Sequence, residues 1–449
     1  MPLQPPRDPA RPNPVDASTA SRDGASTATT GRRAVTLAVI GGLLLLGACA
    51  WLFYLAVTAF PSDLSAVYIA GHLFDIGRTD ILYDAPETFF GTSPPLWEPH
   101  IESLGLTGQF VTPYVYPPLW AAVVAPISLA LTPEQFFFAA ALVQIPLLGL
   151  SPLLAWRIAD GSLRTLGVWL ILSSVLLVTS MISIFAVKLL QPQILVVFLI
   201  LWAFERYRTG RSATAGALLA LAAAIKLAPA AFALIFVMDR NWRSLGTFLA
   251  VCAAIGLVGF VAAGVELHLT FLDSLKAVSG TLFLSSTNFA AGPLMAALGG
   301  ATGFVPPVDL SDRNVVFDGA AASAILLLNK VLFVALLAAV FWKSRMRAPR
   351  DRLVVRLISV TLLVNLFGPL GWIHYNLLPL LLLPALPRLM RPAIGYALFA
   401  GIAVATSRQA FWALHDLGPG DLGVVSVGVA GLIAVLLAVN VAPSPRPTE

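Results

Sequence analysis

Residues 34–60, AVTLAVIGGLLLLGACAWLFYLAVTAF, decide the fold class of this chain. The run is 27 residues long and carries no charge, whereas a helix that crosses a bilayer needs about 20 apolar residues. Similar runs recur along the 449 residues, of which 58% are hydrophobic and 11% charged. Soluble domains carry roughly 25% charged residues. The composition therefore excludes a soluble single-core enzyme, a nucleic-acid binder and a disordered scaffold.

The apolar runs indicate helices and not barrel strands, because strands of a membrane barrel alternate apolar and polar residues. We therefore predict an all-α polytopic membrane protein with about twelve transmembrane helices. The run at 117–155 is too long for one span, and a broken or re-entrant helix over 117–131 keeps the later loops on consistent sides. The runs lie near 34–60, 117–155, 165–185, 190–204, 213–225, 228–238, 244–263, 320–342, 353–370, 376–390, 393–413 and 423–442.

The charges predict the orientation of these spans. Residues 1–33 are rich in Pro, Ala, Ser and Thr, which is typical of a disordered tail. Residues 61–116 hold seven carboxylates and one basic residue, Arg78, and Lys and Arg concentrate on the cytoplasmic side of membranes. We therefore expect 61–116 to be a large extracytoplasmic loop with interfacial helices.

The domain organisation follows from the same charges. A disordered cytoplasmic tail, 1–33, precedes a transmembrane domain, 34–442, and a cytoplasmic tail, 443–449, follows it. A second extracytoplasmic segment covers 264–319. Both termini are then cytoplasmic, and the chain is a multi-pass protein of the cell (plasma or inner) membrane.

Polar side chains gather where the predicted spans end on the outer side. Such residues are costly near a bilayer and mark candidate functional positions. The spans themselves contain almost no carboxylates, which counts against an ion-coupled transporter. We therefore predict a site at the outer membrane face, formed by Asp63, Tyr116, Gln191, Gln193, Lys226, Asn288, His374 and Tyr375.

Two of these residues carry most of the chemistry, and each has two interpretations. Asp63 follows Ser62, so it is either a first-turn acid favoured by the helix dipole or a general base for an acceptor hydroxyl. Lys226 lies before Pro229 at a helix end, where it is either a snorkelling lysine or a phosphate ligand. Position alone leaves both choices open.

Several short motifs follow one another along the chain in a fixed order. They are Asp63, Val67-Tyr68, Gly77 to Asp84, Tyr116 to Leu119, Ala215-Gly216 through Lys226-Leu227-Ala228-Pro229, and Trp372-Ile373-His374. In this order they resemble the motifs of the family-87 glycosyltransferases, which are polytopic C-type enzymes that use polyprenyl-phosphate sugars. Two departures stand out: Leu190-Gln191-Pro192-Gln193 replaces a typical Gly-Gln-x-Asn, and His374-Tyr375 replaces a His-His pair.

The resemblance implies an activity and a role for each residue. A sugar, with mannose the first choice and arabinose or another pentose the second, would pass from a polyprenyl phosphate to a lipid or glycan acceptor, by inverting single displacement at the extracytoplasmic face. Asp63 would be the catalytic base. The resemblance assigns donor phosphate or sugar binding to Lys226, Gln191, His374 and Tyr116, and further sugar or acceptor contacts to Tyr68, His72, Tyr83, Asn288, Trp372 and Tyr375.

The expected partners are the sugar donor, the acceptor and membrane lipids, with no nucleic acid. The sequence has no Asp-x-Asp pair, so we expect neither a metal nor another cofactor. Two alternatives belong to other classes: a lipid or polysaccharide transporter or flippase, and a non-catalytic envelope-assembly partner. A transporter favours internal repeats and ion-binding carboxylates within the membrane, and the sequence shows neither.

Overall fold

A computed structural model describes residues 14–86, 89–305, 315–416 and 421–441 of the chain, with side chains from residue 31 onwards. The described residues are mainly helical. The helices of the first half are α1 (Pro14–Thr58), α2 (Ser62–Asp75), α3 (Glu98–Ser103), α4 (Pro118–Ala130), α5 (Pro133–Ala159), α6 (Leu163–Thr179), α7 (Met181–Lys188), α8 (Gln193–Arg208), α9 (Ser212–Ile225) and α10 (Ala233–Met238).

The second half of the described chain contains further helices and a small sheet. Its helices are α11 (Trp242–Ser279), α12 (Ala291–Ala301), α13 (Gly319–Ser344), α14 (Pro349–Phe367), α15 (Leu377–Leu382), α16 (Leu386–Leu389), α17 (Pro392–Ala405), α18 (Arg408–Asp416) and α19 (Leu422–Val441). Strands β1 (Leu282–Leu284) and β2 (Val315–Phe317) pair antiparallel, with Leu282 opposite Phe317. Short 3₁₀ turns cover Thr79–Ile81, Pro95–Trp97, Ala228–Phe232, Ile373–Asn376 and Leu383–Ala385.

Several of these helices are long and apolar enough to cross a bilayer, so the chain is a helical membrane protein. In the described residues five pass by length and composition, and the pair α7 and α8, bent by 116°, makes a sixth if it forms one span. The five are α1, α5, α11, α13 and α19. Other apolar helices have 10–17 residues, shorter than the hydrocarbon core requires. The count of about twelve spans therefore stays a prediction.

The N-terminal helix begins earlier than its apolar run. The sequence predicts a disordered tail over 1–33, whereas α1 extends from Pro14. Helix propagation adds one hydrogen bond per ordered residue once a nucleus exists, so the apolar run can extend its helix into the Ala-rich stretch before it. Residues 1–13 lie outside the described residues, as does the predicted tail 443–449.

The long apolar run at 117–155 is divided at Leu131 and Thr132. Thr132 caps α5 with a capping box, in which its hydroxyl accepts from the Gln135 amide and its own amide donates to the Gln135 side chain. Pro133 then occupies the first turn, where no donor is needed. The break separates α4 (Pro118–Ala130) from α5, and the broken or re-entrant helix predicted over 117–131 stays a prediction.

The described parts of the segment 61–116 form short helices and turns, of which α2 packs against α4 and α5. Helix α2 packs on α4 at Gly71, where a Cβ atom would lie 2.6 Å from Val124 Cγ1. This close approach fixes α2 against the bundle. In the other predicted extracytoplasmic segment, Gly264 has φ +75°, so α11 is two helical stretches joined at that residue. Its second stretch leads directly into β1.

Candidate active site

A cavity of about 340 Å³ lies where seven separate stretches of the chain meet. We call it the main cavity. It brings together seven of the predicted site residues, Asp63, Tyr116, Gln191, Lys226, Trp372, His374 and Tyr375, which share its lining with Ser62, Phe90, Gly91, Phe110, Thr112, Pro113, Val115, Phe185, Leu189, Phe283, Ser285, Thr287 and Leu370.

Asp63 enters the cavity from the first turn of α2. The backbone around it is held from two sides: the Leu64 amide donates to the Leu189 carbonyl at 3.3 Å, and the Thr112 amide donates to the Ser62 carbonyl at 3.3 Å. The Thr112 hydroxyl donates to the same carbonyl at 3.2 Å. The carboxyl position therefore depends on three segments that are distant in sequence.

Gln191 lies in the sharp turn between α7 and α8. Leu190 adopts φ +43°, a conformation that costs a non-glycine residue about 1–2 kcal/mol. Gln144 stabilises this turn by donating its side-chain amide to the Leu190 carbonyl at 3.0 Å. The turn directs Gln191 into the cavity, where its side chain is buried.

Lys226 follows the last residue of α9, and its backbone is extended. The Trp120 indole donates to the Ala224 carbonyl at 2.8 Å, which satisfies one of the carbonyls left free at the end of α9. The 3₁₀ turn at Pro229 prevents the helix from continuing. The lysine thereby leaves the helix surface and reaches the cavity.

The side chains of Asp63, Gln191 and Lys226 form one chain of contacts. The Gln191 amide nitrogen donates to Asp63 Oδ2, and its oxygen accepts from Lys226 Nζ at 3.4 Å. Lys226 Nζ also lies 3.7 Å from the ring centroid of Tyr375, a cation–π contact. Asp63 and Lys226, both described, make no direct ion pair. The carboxylate and the ammonium thus share the cavity without neutralising each other.

Burial shifts both pKa values towards the neutral forms. Desolvation raises the pKa of Asp63, against the opposing effects of the Gln191 hydrogen bond and the Lys226 charge. Desolvation lowers the pKa of Lys226 to about 7, and the Asp63 charge opposes this shift. A carboxylate with a raised pKa is a stronger base, and an ammonium that has lost water gains from binding an anion.

His374 and its neighbours reach the cavity on a turn that Asn288 holds in place. The Asn288 side-chain oxygen accepts from the Gly371 amide at 2.7 Å, and the Ile373 amide donates to the Thr287 carbonyl at 2.7 Å. His374 is buried, and burial together with the Lys226 charge lowers its pKa. Its Nε2 has no hydrogen-bond partner among the described residues. His374 thus brings to the lining of the main cavity an imidazole nitrogen that the described residues leave without a hydrogen bond.

Four predicted contact residues do not line the main cavity. The Tyr68 hydroxyl donates to the Leu131 carbonyl at 2.8 Å, between α2 and α4. The His72 ring lies 6.1 Å from that of His100. Tyr83 supports the cavity from behind by donating its hydroxyl to the Tyr116 carbonyl at 2.8 Å. Asn288 acts on the backbone, since its amide nitrogen also donates to the Phe283 carbonyl at 2.6 Å.

Other lining residues carried no signal in the sequence. Thr112 belongs to an irregular segment in which threonine is common, and only the fold brings it to Asp63. Phe90 and Phe283 surround Trp372 with ring centroids at 5.2 and 5.7 Å. Aromatic residues are abundant in this chain, so their type alone does not identify which of them meet.

The model of the glycosyltransferase family 87 matches residues 114–369, more than half of the chain. The matched region contains Tyr116, Gln191 and Lys226. Asp63 precedes it, and His374 lies just beyond its end. Neither a curated protein nor a solved structure matches the chain.

Proposed function

We propose, for a chain that belongs to glycosyltransferase family 87, that it transfers a sugar from a polyprenyl-phosphate donor to an acceptor hydroxyl at the extracytoplasmic face of the membrane. Mannose is the first candidate for the sugar, and arabinose or another pentose is the second. The acceptor is a lipid or a glycan. The family supports the transferase activity, and the donor, acceptor and membrane side form the proposal.

One observation carries this proposal. The Asp63 carboxylate and the Lys226 ammonium line the same cavity and make no direct ion pair, and Gln191 bridges them. A transfer from a sugar phosphate requires one group that takes the acceptor proton and another that stabilises the phosphate. Asp63 and Lys226 have the charges for these two tasks. A direct ion pair between Asp63 and Lys226 would have neutralised both charges.

In the proposed reaction the acceptor oxygen attacks the anomeric carbon in one displacement with inversion. The bond between that carbon and the phosphate oxygen breaks, and its electrons leave with the polyprenyl phosphate. Asp63 takes the acceptor proton. Lys226 stabilises the charge that develops on the phosphate, because a preorganised cation is most effective where water is excluded.

The remaining residues orient the donor. His374 lines the main cavity and its Nε2 has no hydrogen-bond partner among the described residues, so a phosphate or sugar oxygen that reaches this atom would satisfy it. Gln191 holds Asp63 and Lys226 apart, and Tyr375 supports Lys226 through its ring. Trp372 and Tyr116 offer aromatic surface to the sugar or to the prenyl chain.

The test is transfer of radiolabelled mannose from polyprenyl-phosphate mannose to extracted cell lipids by the purified protein in detergent. We expect Asp63→Asn to lower the rate by about 10²–10⁴-fold, the usual contribution of a general base. Asp75→Asn is the matched control, because it makes the same change at the exposed end of α2.

Polyprenyl-phosphate arabinose and other pentose donors form the second arm of this assay. Transfer from one of these donors, but not from the mannose donor, would change the sugar and keep the mechanism. Full activity of a correctly folded Asp63→Asn protein would refute the role of Asp63. If the wild type transfers no sugar from any of these donors, the proposed donor class is refuted.

A further inference from the structure

A second cavity, of about 550 Å³, adjoins the main cavity. The two have three lining residues in common, Phe90, Phe283 and Leu370. A ligand in the second cavity would therefore lie beside a ligand in the main one. The proposed function assigns no part of the reaction to this space.

The partition between the cavities consists of side chains. The ring of Phe90 lies 5.6 Å from that of Phe283, and both rings pack against Trp372. Rings of this kind change orientation more readily than backbone moves, and their faces pack well against sugar rings. One extended molecule can thus contact both cavities across this aromatic partition.

The chemistry of the second cavity differs from that of the main one. Tyr83 and Phe89 contribute aromatic surface, and the end of α11 contributes the polar side chains of Thr270, Asp273 and Ser274. Among its described lining residues there is no lysine or arginine. Asp273 accepts from Lys276 at 2.7 Å in a pair that is largely exposed to solvent.

This set of groups selects against a phosphate and in favour of a neutral ligand rich in hydroxyls. The Asp84 carboxylate also lines this cavity and makes no ion pair among the described residues, so it repels an anion, and the donor phosphate is directed to Lys226 in the main cavity. Hydroxyl and carboxylate oxygens accept hydrogen bonds from sugar hydroxyls, and the aromatic faces pack against sugar rings. The two cavities are thus complementary to the two substrates of a glycosyl transfer.

We propose that the second cavity binds the part of a glycan acceptor that lies behind its reacting hydroxyl. This rests on the proposed function and specifies the acceptor: a chain of two or more sugar units and not a simple lipid alcohol. The terminal sugar would enter the main cavity beside Asp63. The preceding units would pack between the aromatic partition and the second stretch of α11.

The test measures binding without donor, so that it does not depend on turnover. Octyl glycosides with one, two and three sugar units, in mannose, arabinose and glucose series, are titrated into the purified protein by calorimetry. We expect the dissociation constant to fall at least about tenfold from one unit to three in at least one series, as one added charge-assisted hydrogen bond would give.

The variant Ser274→Trp fills the second cavity. It should abolish the gain in affinity from one sugar unit to three, with little change in the binding of the single-unit glycoside. Ser279→Trp is the matched control, because it adds the same ring to the same helix outside the cavity lining. Asp273→Asn is a milder second variant that should reduce the gain severalfold.

Equal affinity for one and three units in all series, or an unchanged gain in Ser274→Trp, would overturn the proposal. Failure of the proposed function has a different signature, since it is measured by transfer in the wild type and in Asp63→Asn. Binding that depends on glycan length would persist in that case.

Discussion

Two clusters of charged side chains lie at either end of the short segment Ala228–Met238, and they differ in how their charges are paired. Lys226 precedes the segment and faces a cavity with Asp63. Asp239 follows it and is bonded on both oxygens, by Arg356 Nη1 at 2.7 Å and by the Tyr207 hydroxyl at 2.8 Å. Arg356 also donates to the Ser344 hydroxyl at 2.9 Å.

The difference separates a structural cluster from a functional one. The Asp239 carboxylate joins the end of α8 to α14, and Arg356 extends the cluster to the end of α13, so the charges are paired within the protein. In the Asp63 cluster an amide keeps the opposite charges apart, and the cavity leaves room for a ligand between them. A buried charge whose complement lies in the substrate and not in the chain is expected of a catalytic site.

The largest expected effect is on stability and concerns the structural cluster. Arg356→Met leaves Asp239 without its cation, and breaking such a pair costs about 3–5 kcal/mol. We expect the free energy of unfolding in a denaturant titration to fall by about 3 kcal/mol, the lower end of that range, because the Asp239 side chain is 24% exposed. Transfer per folded molecule should not change.

The double variant Arg356→Met with Asp239→Asn is the control for this prediction, because it removes both charges. It should recover part of the lost stability. If Arg356→Met unfolds no more easily than the wild type, the cluster does not have the structural role that the comparison assigns to it.

For Lys226→Met we expect the opposite pattern, a loss of transfer with stability preserved. Loss of one preorganised cation should lower the rate of transfer by about 10²-fold or more. Stability should be preserved, because removing a desolvated ammonium costs little when no direct ion pair is lost. Lys343→Met, at an exposed position near the end of α13, is the matched control.

A measurement of transfer rates together with unfolding of Lys226→Met decides between the two patterns. A large loss of stability with normal transfer per folded molecule would assign Lys226 to the structural class.

The pH dependence of transfer tests the charge of Lys226. Because the pKa of Lys226 is lowered to about 7, its charged form is present below that pH and is lost above it. The donor phosphodiester keeps a single negative charge over this range. We therefore expect kcat/KM for the donor to fall about tenfold per pH unit above pH 7, and Lys226→Arg to remove this fall, since a guanidinium stays charged.

At low pH we expect kcat/KM to fall for a different reason, the protonation of Asp63. Burial raises the pKa of Asp63, so its basic form is lost as the pH falls, at a higher pH than for an ordinary aspartate. An activity that continues to rise well above pH 7 in the wild type would contradict the assignment of Lys226.

The smallest expected effect concerns Tyr68, which lies near Asp63 in sequence but outside the main cavity. Tyr68→Phe removes its hydrogen bond to the Leu131 carbonyl, which should lower the free energy of unfolding by about 1 kcal/mol. Transfer should remain within twofold of the wild type, roughly the precision of such assays. A tenfold loss of transfer would show that Tyr68 contacts a substrate.

The helices were predicted more closely than the span count. The runs 213–225 and 423–442 correspond to α9 and α19 within a residue at each end. Apolar runs identify helices because the bilayer demands satisfied backbone groups. Run length does not decide how often the chain crosses, since apolar helices such as α4, with 13 residues, are shorter than a span requires.

The candidate site was predicted in part, and helix geometry explains the exceptions. Seven predicted residues line the main cavity, whereas Tyr68 and His72 point elsewhere. At about 100° per residue, Tyr68 lies roughly 140° around α2 from Asp63, and His72 about 180°. The sequence located all three near one membrane surface, but a shared depth does not mean a shared helix face.

The sequence by itself determined that this chain is a helical membrane protein with polar breaks between apolar runs, because apolar length and charge position act locally. Its motifs in chain order also identified the family. Tertiary structure alone decided which of those breaks meet, that Gln191 separates Asp63 from Lys226, and that a second cavity lies beyond Phe90 and Phe283. Such contacts join residues that are 35 and 128 positions apart in the case of Gln191, and only the packing of helix against helix fixes their distances.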